Sequence, residues 1–227
     1  RGWRAAAVLA CAAGMACKES VVTAPIMVAL YDRTFVFASV REAFRQRPAF
    51  CGAHAATWLI VAGLLATAPR SSAGFEAGVG AATYLLNQTT IIVDYLRLTF
   101  LPRALVLDYG IPRPLALSDV VAQSVIVLGL LAATLVALVR WPRIGFLGAW
   151  FFVTLAPTSS FVPIATEVGA ERRMYLPLAA IVVLVVCRAY AAFATRRNSR
   201  RVVIGACAVV CVTLAAGTVL RNYEYRS

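Results

Sequence analysis

The chain has 227 residues, 61% of them hydrophobic and only 14% charged, with a mean hydropathy of +0.80 and a formal net charge of +12. These values exclude an ordinary soluble domain, and the missing two-residue alternation argues against a β-barrel; the expected fold is all-α, a polytopic helical membrane protein. The positive charge lies in short arginine-rich segments that serve as topology determinants and contacts to anionic membrane lipid, so no nucleic-acid partner is expected.

Residues 5–16 are apolar, Lys18-Glu19 interrupts, and 21–30 are apolar again. Each half is short for a crossing of roughly 20 residues. Two short or tilted helices turning at Lys18-Glu19 fit this pattern better than one long helix with a snorkelling lysine. Residues 31–50 read as a basic loop carrying Arg33, Arg41, Arg45 and Arg47, and 54–68 as the next span, with His54 an interfacial residue at its start. Residues 69–79 are a polar Gly- and Ser-rich loop.

Over 80–101, Thr83, Asn87, Thr90, Asp94 and Arg97 recur at spacings of three and four, which predicts an amphipathic helix lying on the membrane or lining a polar cavity. Asp94 and Arg97 are placed to pair. A proline-rich loop follows at 102–119, then spans at 120–139 and 144–156 around the basic turn Arg140-Trp141-Pro142-Arg143. Two last spans, 176–194 and 202–220, flank a loop at 195–201 with Arg196, Arg197, Arg200 and Arg201. Five of the six cysteines fall in or at the ends of apolar segments. Cys207 and Cys211 share a helix face without a histidine or carboxylate, as packing residues do.

The stretch PTSSFVPIATEVGAERRMYLP, Pro157–Pro177, stands apart. It carries Glu167, Glu171, Arg172 and Arg173 between two apolar segments, and its prolines with Gly169 argue against a continuous helix. If the first residues are cytoplasmic and 80–101 stays outside, seven crossings place twelve of the 22 Lys and Arg residues inside, in accord with the positive-inside rule. Lys18-Glu19, the 102–119 loop, the charged loop and the C-terminus then share the outer face. There Arg172-Arg173 suits a lipid phosphate, since the guanidinium fork is planar and permanently charged. A structural ion-pair cluster at a helix end explains the same residues equally well.

The charged loop resembles the signature of the transmembrane and tetratricopeptide-repeat O-mannosyltransferases (TMTC proteins) and their bacterial relatives, within the C-type (GT-C) glycosyltransferase superfamily. GMACKESVVTAPIMVALYD, residues 14–32, resembles the family's Lys-Glu hairpin with its Tyr-Asp. YLLNQTTIIVDYLRLTFLPRALVLDYGIP, residues 84–112, resembles its Tyr-Leu-Arg helix and Asp-Tyr loop. The resemblance implies a multi-span glycosyltransferase whose donor is a sugar, mannose in the animal members, on a polyprenyl or dolichyl phosphate. The acceptor is a protein Ser or Thr hydroxyl or another extracytoplasmic group. The active face is periplasmic in a bacterial inner membrane, or lumenal in the endoplasmic reticulum. Arg172, Arg173, Lys18 and Arg97 are expected to hold the donor phosphate, with Glu171 and Glu19 as supporting carboxylates. Gln88, Asp94, Tyr95, Asp108 and Tyr175 are expected to line the cavity. No metal ligand set is assigned among these residues, no cofactor is assigned, and the need for a divalent metal stays open.

The family's acidic motif lies in an earlier outer loop, so the chain is expected to be a fragment, inactive alone, with the catalytic base upstream and tetratricopeptide repeats after residue 227. Two other readings stand beside the enzyme: a transporter or flippase for lipid-linked sugars, and a non-catalytic anchor for a repeat domain. The uncharged interiors of the later spans disfavour the transporter. The anchor predicts tolerance to removal of the outer charges.

Overall fold

The computed structural model describes residues 2–67, 79–102, 106, 108–159, 163–164, 166–193 and 199–224. Among these the chain is all-helical, without a β-strand. Four helical stretches are long and apolar enough to cross a membrane, as in a helical membrane protein: Pro48–Thr67, Leu117–Arg140, Glu171–Ala192 and Arg201–Leu220. The chain forms two compact units, Arg1–Ile181 and Val182–Ser227.

The first unit opens with α1 (Gly2–Cys17), rich in alanine, the best helix former. The chain turns at Lys18, whose backbone is extended, into a 3-10 turn (Glu19–Thr23) and then α2 (Ala24–Tyr31). The interruption expected at Lys18-Glu19 is therefore a real break. Gly14 permits the turn to fold back, since a Cβ there would sit 3.0 Å from the Val21 side chain. Cys11 and Met15 of α1 pack with Val61.

Residues 31–50 are not a loop. A π-helical turn (Asp32–Val36) continues α2, α3 (Val40–Gln46) follows a 97° bend, and α4 (Pro48–Ala56) runs through a break at Thr57 into α5 (Trp58–Thr67). Ser39 starts α3 by accepting a hydrogen bond from the Glu42 amide, 3.1 Å away, and the Glu42 carboxylate accepts from Ala38 N at 3.2 Å, close to a capping-box arrangement. His54 lies within α4 rather than at the start of a span; it is buried and its Nδ1 lies 3.1 Å from the Phe50 carbonyl.

α6 (Ala81–Phe100) leads through the 102–116 segment and a short 3-10 turn (Leu117–Val120) to α7 (Val121–Arg140). α7 and α8 (Pro142–Leu155) form an antiparallel hairpin about Trp141, with Pro142 in the first turn of α8, where its missing N–H costs no bond. A Cβ on Gly145 would overlap the Leu138 backbone, and one on Gly148 the Thr134 side chain. Where helices face lipid, burial removes no water, and their association rests on such close fits of small residues. Gly145→Ala is therefore expected to splay the hairpin and sharply reduce the yield of folded protein, read as monodisperse elution and thermal midpoint in detergent.

α8 has 14 residues, so it rises about 21 Å, less than the roughly 30 Å hydrocarbon core. Its C-terminus opens into the charged loop, which ends in a 3-10 turn (Glu171–Met174) leading to α9 (Tyr175–Phe193). Ile91, Ile92 and Tyr95 of α6, Phe151 and Leu155 of α8, and Val168 and Met174 of the loop segment make one core. In the second unit α10 (Ser199–Glu224) is a long helix whose described apolar side chains are largely exposed. It already contains Arg200 and Arg201, expected in the loop before it. Arg196 and Arg197, and nearly all of the 69–79 loop, lie outside the described residues.

Candidate functional site

The charged loop is held by α6. The buried face of that helix is Tyr84, Asn87, Gln88, Ile91, Ile92 and Tyr95, a three-four repeat that mixes aliphatic groups with hydrogen-bonding ones. Tyr84 Oη donates to the Thr158 carbonyl at 2.9 Å and Gln88 Nε2 to that of Val168 at 2.8 Å. Tyr95 Oη both donates to Ala170 O and accepts from Ala170 N, each at 2.7 Å. A segment broken by prolines forms no helix of its own, so its buried carbonyls need these outside donors. Gly169 lets the backbone come this close: a Cβ would lie 2.9 Å from Ile91 Cγ2 and 3.2 Å from Tyr95 Oη.

Asn87 ties the preceding segment to the same helix, donating to Arg113 O at 2.7 Å and accepting from Arg113 N at 3.1 Å. The two segments also meet directly, through Tyr109 N to Gly169 O at 3.0 Å and Val168 N to Gly110 O at 2.7 Å. Gly110 takes φ +79°, a conformation natural to glycine, and the Asp108 carboxylate caps that turn by accepting from Gly110 N.

The two arginines divide. Arg173, with a side chain only 9% exposed, points inward. It donates to the carbonyls of Thr158 (3.0 Å), Glu167 (3.1 Å) and, more weakly, Val168 (3.4 Å). Its Nη2 also lies 3.1 Å from Glu167 Oε1 as an ion pair, off the line of a hydrogen bond, and Oε1 has no hydrogen-bond partner. Arg172 is 63% exposed and bonds through Nη2 to Glu167 Oε2. Glu167 is thus the pivot of both cations. In the sequence Glu167 is marked only as one of the outer-face charges, with no role of its own.

Glu171 accepts a hydrogen bond from the amide of Val106, joining loop to loop. Burial raises the Tyr109 phenol, and the charges of Glu171 and Asp94 raise it further. Asp94 is itself raised by burial, against the opposing pull of Arg97; Arg97 is exposed. Burial lifts Tyr95 to about 12, so it stays a donor at any physiological pH.

The structure therefore gathers Arg172, Arg173 and Glu167 at one point, while Glu171 holds Val106 of the neighbouring segment; Asp94 and Arg97, expected to pair, make no ion pair with each other among the described residues. Gln88 and Tyr95 are buried supports of the loop, Asp108 caps a turn, and Tyr175 is 87% exposed. Lys18 is exposed at the α1 turn and makes no side-chain hydrogen bond or ion pair among the described residues; the side chain of Glu19 lies outside the description. Among the described residues no group of three or more His, Cys, Asp or Glu is placed to hold a metal ion.

Tyr95→Phe leaves the buried Ala170 N–H without its partner and the Ala170 carbonyl with the Arg173 amide alone. The expected cost is about 1–3 kcal/mol, seen as a lower thermal midpoint and faster proteolysis within 157–174. An unchanged midpoint would show that the loop does not depend on this bond.

No protein-family model matches the chain, and no curated protein or solved structure matches it significantly.

Proposed function

We propose that the chain is part of an integral-membrane glycosyltransferase that moves a sugar, with mannose the first to test, from a polyprenyl phosphate to a protein Ser or Thr hydroxyl or another extracytoplasmic acceptor. The observation that carries this reading is Arg172: an exposed guanidinium, steadied by Glu167, on a loop that α6 holds rigidly. The motifs at 14–32, 84–112 and 157–177 give it its chemical direction. The topology that belongs to it has seven crossings, with the charged loop on the periplasmic or lumenal face and a repeat domain after residue 227.

The transfer inverts the sugar. The acceptor oxygen attacks the anomeric carbon, and the bond from that carbon to the lipid-phosphate oxygen breaks. The phosphate leaves with the electron pair, and the acceptor's proton passes to a carboxylate expected upstream. Charge developing on the leaving phosphate is met by Arg172, with Arg97 and Lys18 as further cations, and an interaction strongest at that stage lowers the barrier. Arg173 supports the site by holding the backbone, and Glu171 by fixing the neighbouring loop.

The test is sugar transfer by the full-length protein in membranes with labelled polyprenyl-phosphate mannose, then with other sugars. Transfer to no acceptor with any polyprenyl-phosphate sugar would sink the enzyme reading and favour the anchor.

A further inference from the structure

A second site lies within the first unit, reaching at one end to Thr154 and Leu176 at the two ends of the charged stretch and at the other to a separate pair of charges. Between α2, α4 and α8 is a cavity of about 520 Å³, within the range of roughly 300–1,000 Å³ usual for small-molecule sites. Its walls are apolar, formed mainly by Met27, Val28, Phe50, Phe146 and Trp150. It extends along α8 from Phe146 to Thr154, about 12 Å at 1.5 Å per residue.

At the Phe146 end the lining changes to Asp32 and Arg47. Asp32 is 5% exposed and stands in the π-helical turn, a distortion often found at functional sites. Its Oδ1 is 3.6 Å from Arg47 Nη1, an ion pair too long for a hydrogen bond, and its Oδ2 is buried with no partner. A buried carboxylate oxygen left without a donor is costly. The Arg47 guanidinium is set in place over the Phe37 ring, 4.8 Å from its centroid, and its side chain makes no hydrogen bond among the described residues. An acceptor without a donor thus stands beside a fork of unused donors, at the mouth of an apolar trough.

This end of the unit is also its basic end. Arg33 donates to the Leu138 carbonyl at 3.1 Å, which brings the Asp32 turn to the C-terminus of α7, next to exposed Arg140 and Trp141. Tryptophan and arginine at the end of an apolar helix mark headgroup depth.

We propose that the cavity binds an aminophospholipid, with its ammonium on Asp32, its phosphodiester on Arg47 and one acyl chain along α8. A purely anionic headgroup would meet the Asp32 carboxylate with like charge. A neutral hydroxyl headgroup with no phosphate would leave the Arg47 donors without an anion. Phosphatidylglycerol offers Arg47 the same phosphodiester but gives Asp32 only a neutral hydroxyl, whereas a head with both charges a few bonds apart gives it the stronger, charge-assisted donor.

The test uses the full-length protein in mild detergent, mixed with phosphatidylethanolamine or phosphatidylglycerol, with retained lipid counted by native mass spectrometry. The wild type is expected to retain phosphatidylethanolamine about ten-fold better, and Asp32→Asn to lose that preference, since a charge-assisted hydrogen bond is worth about ten-fold or more. Val28→Trp fills the trough without touching the ion pair and is expected to abolish retention of both lipids. Equal or better retention of phosphatidylglycerol, or unchanged preference in Asp32→Asn, overturns the proposal. If Asp32→Asn does not fold, Val28→Trp decides, and wild-type lipid retention in that variant overturns it as well.

Discussion

Replacing Arg172 by alanine is expected to reduce sugar transfer by about a hundred-fold to a thousand-fold, the usual cost of removing one donor to a developing negative charge. Insertion and thermal midpoint stay as in the wild type. The two halves of this expectation have different physical origins. Arg172 is 63% exposed and its partner is Glu167, so as a structural element it is a surface ion pair worth about 0–1 kcal/mol. Glu167 keeps Arg173 after the change. What the substitution removes is a cation that Glu167 holds in one orientation beside the loop. Arg172→Lys keeps the charge but loses the planar fork, and only partial activity is expected to return. Transfer assays on both variants, with donor concentration varied, separate the roles. A lower kcat places Arg172 at the leaving phosphate in the transition state. A higher KM alone makes it a docking contact for the ground-state donor. Equal transfer by wild type and Arg172→Ala keeps the enzyme but removes Arg172 from its site.

The lengths of α7 and α9, the break at Lys18 and the helix over 81–100 follow from apolar runs and their interruptions, which the sequence displays directly. The orientation of α6 does not. Thr83, Asn87, Thr90, Asp94 and Arg97 lie on one stripe, yet the face that is buried runs through Tyr84, Asn87, Gln88, Ile91, Ile92 and Tyr95. Polar side chains can turn to water or to unpaired carbonyls, and residue type alone does not choose between them. The choice comes from the proline-broken loop, whose backbone needs donors. A reading that asked where the bonds of 157–174 go would have looked for Tyr and Gln at three-four spacing on another helix. The segment 31–50 was legible in part: Ser39 and Glu42 three residues apart form a helix-start signal, masked by the density of arginine around them. The division between Arg172 and Arg173 has no sequence signature, because adjacent residues point about 120° apart around a 3-10 turn, and which one faces inward is set by the packing of Met174 and Val168.

That division makes Arg173→Ala the contrasting experiment. The substitution strips the Glu167 carbonyl of its donor. It leaves Thr158 O to Tyr84 alone and Val168 O to Gln88 alone, and takes away the inner partner of a carboxylate that is only 15% exposed. Breaking a buried pair from one side costs about 3–5 kcal/mol; the remaining Arg172 contact and the partial exposure of Glu167 put the expected loss at the lower end, about 3 kcal/mol. The result is a lower thermal midpoint, cleavage within 157–174 in limited proteolysis, and loss of transfer that follows the loss of structure. The double variant Glu167→Gln, Arg173→Ala removes the carboxylate that has lost its inner partner and is expected to recover part of the stability, a coupling between contacting residues of the kind a double-mutant cycle measures. Transfer is not expected to return with it, because Arg172 has then lost the carboxylate that orients it. A single Arg173→Ala variant that melts and resists protease like the wild type would show that α6 alone holds the loop, and Arg173 would then be free to join Arg172 at the phosphate.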